Sequence, residues 1–196
     1  DGKRMYGVTT VLGVIAKNAL IPWAAGMACD YVRDNLSLNI FKDPVRFEEL
    51  LKEAKSAHRK KKEDAGEKGT DIHKLAEDVV GIAIKEGGYL SPSLTSGDPQ
   101  IQHFINWARD NNIKFIESEK QMYCDTNGLF VAGTVDIVFE KDGKTYIGDI
   151  KTYAKIWDRT PMLQCAGYGL MYENMSGKKI DGYCVLLLTK KGEFKE

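Results

Sequence analysis

The spacing of apolar residues changes character about halfway along the chain. Before residue 112 they recur three and four apart, as in Ile72, Leu75, Ala76, Val79, Ile82 and Ala83, the spacing that lays one stripe along a helix. Helices are predicted over residues 10–19, 22–35, 44–64, 70–85 and 99–111, with a Gly-, Ser- and Pro-rich loop over 87–99. After residue 112 the apolar positions cluster in runs of β-branched and aromatic residues, and Asn127-Gly128 and Asp142-Gly143 interrupt them. Such pairs between such runs mark hairpins, so three strands are predicted from about Lys114 to Thr152. A helix over 162–174, stopped by Ser176-Gly177, and a last strand over 182–189 follow. The order implies an α/β fold, a mixed central β-sheet flanked by helices, with a helical N-terminal region over 1–112.

The hairpins align chemistry. With Asp142-Gly143 as the loop, Lys141 faces Lys144, and counting back sets Asp136 opposite Asp149. Lys151, two residues beyond Asp149, returns to the same face because strand side chains alternate. The Asn127-Gly128 turn likewise sets Glu119 opposite Asp136, so Glu119, Asp136 and Asp149 would form a row across three strands. Glu117 competes with Glu119 for the first place, and register favours Glu119.

Carboxylates facing one another roughly 5 Å apart destabilise a sheet and need solvent or a cation. Apolar neighbours on both faces, Val131, Val135, Ile137, Phe139, Ile147 and Ile150, imply a sheet covered on both sides, which disfavours solvent. Hard oxygen ligands suit Mg²⁺ or Mn²⁺. Asp-x-Lys alone is commonplace on strands; the second acid in register gives it weight.

Gln164, Tyr168 and His73 join this set. Gln164 and Tyr168 are four apart and share a helix face. His73 lies at the edge of the stripe of the 70–85 helix, beside Glu77; by itself it reads as a structural histidine. Its setting, Gly69-Thr70-Asp71-Ile72-His73, changes that reading.

Taken in order, Gly-Thr-x-x-His at 69–73, Gly133-x-x-Asp136, Asp149-Ile150-Lys151 and Gln164-x-x-x-Tyr168, the chain resembles the PD-(D/E)xK nuclease superfamily, and within it the RecB-like exonucleases. The resemblance spans about residues 69–172. The opening Tyr6-Gly7-Val8-Thr9-Thr10-Val11-Leu12 with Pro22-Trp23-Ala24 is similar to phage-type members. Val135 stands where the superfamily has its proline; that proline shapes backbone and carries no chemistry. The resemblance implies a restriction-endonuclease-like core in a single nuclease domain over 1–196. It implies that His73, Asp136, Asp149 and the backbone carbonyl of Ile150 bind Mg²⁺ or Mn²⁺, that Lys151 is the catalytic lysine with Glu119 as an auxiliary acid, and that Gln164 and Tyr168 position DNA or support the site. The activity it implies is exonucleolytic hydrolysis of DNA in recombination, repair or phage DNA processing. A structure-specific endonuclease on the same fold and a non-catalytic DNA-binding protein with a nuclease-like core are the alternatives, and retention of Asp136, Asp149 and Lys151 argues against the second.

Composition sets outer bounds. At 196 residues, 43% hydrophobic and 29% charged, the chain can bury one substantial core. No apolar run approaches the roughly 20 residues of a membrane span, and no signal peptide is visible, so no membrane partner and a cytoplasmic location are expected. The four cysteines, at 29, 124, 165 and 184, lack the closely spaced late trio that holds an iron–sulfur cluster in some RecB-like relatives, so neither a cluster nor disulfides are expected. Net charge is zero, so binding to DNA must rest on local basic paths. Lys55, Arg59, Lys60, Lys61 and Lys62 form one cluster, and Lys155 and Arg159 follow the Asp-x-Lys strand. A solvated helix face is the plain alternative for the first cluster, since Glu63, Asp64 and Glu67 follow it.

Overall fold

A computed structural model describes residues 4–15, 20–152, 156, 158–189 and 194–195, without side chains for 64–68, 70, 126 and 194–195. The chain order is β1 (Tyr6–Gly7), α1 (Val8–Leu12), α2 (Leu20–Asn35), α3 (Leu38–Phe41), α4 (Pro44–Lys85), α5 (Pro99–Asp110), β2 (Lys114–Thr126), β3 (Leu129–Lys141), β4 (Lys144–Lys151), α6 (Thr160–Ser176), β5 (Gly182–Leu188) and β6 (Phe194–Lys195). These gather into two compact units, one drawn from Asp1–Ile15 and Gly69–Glu196, the other from Ala16–Lys68. The long helix α4 contributes to both.

The first unit is α/β with a mixed sheet. Its strand order is β1-β3-β4-β5-β6, with β2 paired to β3 as well. The β2–β3 and β3–β4 pairs are antiparallel, whereas β1–β3 and β4–β5 are parallel. Both hairpin turns form where the Asn-Gly and Asp-Gly pairs predict: Asn127, Gly128, Asp142 and Gly143 all take positive φ, at 52°, 85°, 53° and 72°, the backbone of turns that match strand twist.

Apolar clusters cover both faces. On one side Ile72, Ala76, Val79, Val80 and Ala83 of α4 and Ile101, Phe104, Ile105 and Trp107 of α5 pack on Ile137, Phe139, Ile150 and Leu186. On the other, Val8 and Cys165, Tyr168, Met171 and Tyr172 of α6 pack on Met122, Val135, Val138, Ile147 and Val185. A sheet buried on both faces is thus observed, as the runs of apolar strand residues imply.

The helices differ from expectation in three places, one of them the short α3, which falls between the predicted 22–35 and 44–64 helices. The first helix ends at Leu12, where Gly13 caps it; residues 16–19 lie outside the described set. The predicted 44–64 and 70–85 helices are one continuous α4. Sequence patterning ends one helix at residue 64 and starts the next at 70, but glycines in a helix, here Gly66 and Gly69, cost only about 1 kcal/mol each, and the flanking alanine, glutamate and lysine residues favour helix. Elsewhere the ends follow their caps: the Asp98 carboxylate accepts from the amides of Gln100 and Ile101 at the start of α5, and Gly177 closes α6 in the left-handed region, at φ 68°.

The second unit is helical. Tyr31 of α2 donates its hydroxyl to Glu53 of α4 at 2.8 Å, Trp23 meets His58 edge-on at 6.4 Å, and Phe41 stacks on Phe47 at 5.8 Å. Among the described residues no helix is long and apolar enough to cross a membrane.

Candidate metal centre

The site forms where the β3–β4 ladder ends. Pairing runs from Lys141↔Lys144 to Ile137↔Gly148, the register the Asp-Gly turn predicts, and it stops one pair short of Asp136 and Asp149. In place of the next rung the Asp136 side chain takes over: its Oδ2 accepts the Ile150 amide at 2.7 Å. Strict alternation would also put Val135 and Ile137 on one face, yet they belong to opposite apolar clusters. The strand changes face at Asp136. On β2 the pairs Ser118↔Ile137 and Lys120↔Val135 bracket Glu119 opposite it, and Glu119 sits at φ 49°, a left-handed backbone that costs a glutamate free energy. The two irregularities face each other at the acid row.

Asp149 is 0% exposed. Its Oδ2 lies 2.5 Å from the Lys151 Nζ, as their shared strand face requires, while Oδ1 accepts no hydrogen bond from any described residue. Burial raises the Asp149 carboxyl to about 6; Lys151 opposes the shift and Asp136 reinforces it. The Asp136 carboxyl is also raised by burial, against the pull of the Ile150 amide and Lys151. Glu119 is raised to about 7, first by burial and then by the charges of Asp136 and Glu77. Glu77, one helical turn beyond His73 on α4, adds its charge to the acid row, a role not read from the sequence although the four-residue spacing is its signal. Glu117 is used elsewhere, accepting the Tyr172 hydroxyl at 3.0 Å and pairing with Lys120 at 2.6 Å.

His73 brings Nδ1 to 3.8 Å from the Asp136 Oδ2. Burial first, then the Lys151 charge, lower its pKa below the ordinary histidine value, so at neutral pH the ring is uncharged and keeps a lone pair. Gly69, at the head of that motif, lies so close to β4 that a Cβ there would stand 2.7 Å from the Thr152 Oγ1. The Gly69–His73 segment reaches the strand end because its first residue has no side chain.

On α6 the Gln164 Nε2 donates to the Tyr168 hydroxyl at 2.8 Å, as the i, i+4 spacing predicts. The Tyr168 ring covers Gly133, where a Cβ would fall 2.6 Å from the ring Cε1. Cys165, fully buried one turn before Tyr168, has its thiol pKa pushed up by burial and by the Asp149 charge. The floor of the site is therefore apolar. Arg159 lies just before α6, whereas Lys155 falls outside the described residues.

The donor chemistry fits a hard divalent cation: the buried Asp149 carboxylate with a partnerless oxygen and the half-buried Asp136 carboxylate, beside an uncharged imidazole. As they stand, no three His, Cys, Asp or Glu side chains among the described residues are drawn together tightly enough to hold an ion. None of the four cysteines, all among the described residues, is in a disulfide. No protein-family model matches the sequence, and no curated protein matches it.

Proposed function

We propose that this chain is a metal-dependent deoxyribonuclease of the PD-(D/E)xK, RecB-like type, degrading linear DNA from a free end. The observation that carries the reading is Asp149: a fully buried carboxylate with one oxygen unpartnered and the other against the Lys151 ammonium. A buried acid in that state is strongly disfavoured unless a cation or proton completes it.

Asp136, Asp149, the Ile150 carbonyl and His73 are the groups that would hold Mg²⁺ or Mn²⁺, which supplies a polarised phosphoryl oxygen and a more acidic attacking water. Lys151 places a positive charge beside Asp149, where it can orient the nucleophile and offset charge growing on the phosphate. Asp136 is fixed by the Ile150 amide, so its free oxygen is aimed by the strand that carries Asp149. Gln164 and Tyr168 lock each other through their hydrogen bond, which holds the half-buried Gln164 amide in place for a nucleotide.

The test is incubation with linear and covalently closed circular DNA, single- and double-stranded, in Mg²⁺, Mn²⁺ or EDTA. Progressive loss of linear substrate, survival of circles and no cleavage in EDTA are expected, and Lys151→Ala should lower the rate at least about 10²-fold. Cutting of circles at comparable rates would replace the exonuclease with an endonuclease. Retention of DNA without cleavage under any metal would leave a DNA-binding protein with a nuclease-like core.

A further inference from the structure

The second unit carries a charge pattern that the metal centre does not use. From Lys52 to Lys62 the chain holds six cations, Lys52, Lys55, Arg59, Lys60, Lys61 and Lys62, against one carboxylate, Glu53, and that carboxylate is occupied by the Tyr31 hydroxyl. The segment is helical throughout. At 100° per residue Lys52, Lys55, Arg59 and Lys62 fall on one stripe, which rises about 15 Å along the axis. All four are exposed, and none is in an ion pair with a described carboxylate. Besides Glu53, the acids three or four residues from one of these cations along the helix are Glu48 and Glu49, before Lys52, and Glu63, four residues after Arg59. The opposite face, with Leu50 and Ala54 buried, is the side that packs.

An aromatic pair adjoins this stripe. His58 follows Lys55 by three residues and precedes Lys62 by four, so it lies along the stripe's edge. Against its ring, edge-on at 6.4 Å and 85°, stands Trp23, which is 37% exposed. Aligned cations next to an exposed indole are the two elements of sequence-tolerant single-strand binding: charges track the phosphates and a ring stacks a base. An anionic membrane would ask for an apolar face free to insert beside the basic one, and in α4 that face is buried.

We propose that the α2–α4 unit holds single-stranded nucleic acid, with Lys52, Lys55, Arg59 and Lys62 on the phosphates and Trp23 stacked on a base. The proposal does not depend on the metal centre. In a chain of zero net charge, it locates the attraction for a polyanion on one helix.

The test uses the full chain in EDTA, a fluorescent oligothymidylate of 20 nucleotides, and anisotropy across a salt series. The variant Lys52→Gln, Lys55→Gln, Arg59→Gln, Lys62→Gln removes the charges while keeping helix-forming side chains. Affinity at low salt should fall at least about 100-fold, and the slope of log K against log salt should flatten by roughly 0.7 per cation removed. The pair Lys52→Gln, Lys62→Gln should give about half that flattening, which keeps the test valid if the fourfold variant fails to fold. Trp23→Ala should weaken binding about tenfold with the slope unchanged. Manganese-dependent hydrolysis of bis(4-nitrophenyl) phosphate, a diester too small to reach the stripe, should be the same in all of these variants and the parent. Undiminished oligonucleotide binding by either charge variant overturns the proposal, as does tighter binding to duplex than to single strand, or stripe-dependent binding to phosphatidylserine vesicles without oligonucleotide binding. Stripe-dependent binding in a protein that hydrolyses nothing would sustain this proposal and remove the nuclease reading; hydrolysis without stripe-dependent binding would do the reverse.

Discussion

Charged groups in the two units live under opposite conditions. In the α/β unit Asp149 is 0% exposed and shares its surroundings with Asp136, His73 and Lys151. In the helical unit Lys52, Lys55, Arg59 and Lys62 stand in solvent, in no ion pair with a carboxylate among the described residues. The buried set stores unfavourable free energy, because desolvation penalises each charge and only a neighbour or an ion can offset it. The exposed set stores almost none, since each cation keeps its hydration and acts only jointly and at low salt. One region is built for chemistry at a point, the other for weak attraction along a line. Stability measurements should therefore separate them before any activity assay does.

The largest effect is expected at Asp149. Its folded pKa, about 6, stands above the ordinary 3.8, so the unfolded chain ionises first as pH rises. Below about pH 3 the carboxyl is protonated in both states and carries no penalty. Between about pH 4 and 6 stability is lost, and above that the loss is constant, at about 3 kcal/mol for a shift of this size. The shift already includes the attraction of Lys151. Asp149→Asn should therefore raise the melting stability in EDTA by about that amount at pH 7.5 and by almost nothing near pH 3, while abolishing metal-dependent hydrolysis. An equal or lower melting temperature at pH 7.5 would contradict the account of a strained acid.

A smaller effect is expected at Gly133. A Cβ 2.6 Å from the Tyr168 ring must displace a buried aromatic, and overpacking of this kind costs roughly 1–3 kcal/mol. Gly133→Ala should lower the denaturant midpoint accordingly, and Gly133→Ala with Tyr168→Leu should recover part of the loss. The smallest belongs to the helical unit. The Arg46–Glu49 pair, 3.0 Å long with both side chains more than half exposed, should contribute less than about 0.5 kcal/mol. A double-mutant cycle with Arg46→Gln and Glu49→Gln checks it, and a coupling above 1 kcal/mol would blur the distinction between the two regions.

Much of the site could be read from residues alone because turn chemistry is local. Asp142-Gly143 fixes a two-residue loop, the loop fixes Lys141 against Lys144, and period-two counting then places Asp136, Asp149 and Lys151 together. The Gln164–Tyr168 bond and the helix that carries His73 follow from helical spacing in the same way. What escaped reading depends on partners distant in sequence. Nothing near Glu119 announces a left-handed backbone, and nothing near Asp136 says that its side chain, instead of a carbonyl, will receive the Ile150 amide. The continuity of α4 through Gly66 and Gly69 escaped for a different reason, since two glycines weaken a helix by amounts too small to decide its end. Gly69 is required by Thr152, a contact that no local pattern encodes.

The bond from the Ile150 amide to Asp136 makes one backbone proton an observer of the whole centre. In an ordinary rung that proton would face a neutral carbonyl and sense little beyond strand pairing. Here it faces a carboxylate, so its nitrogen-15 chemical shift should follow the protonation of Asp136 through a pH series and jump again when a divalent ion is added. A single resonance, assigned once, would then read out occupancy and charge at the site in a protein that need not turn over any substrate.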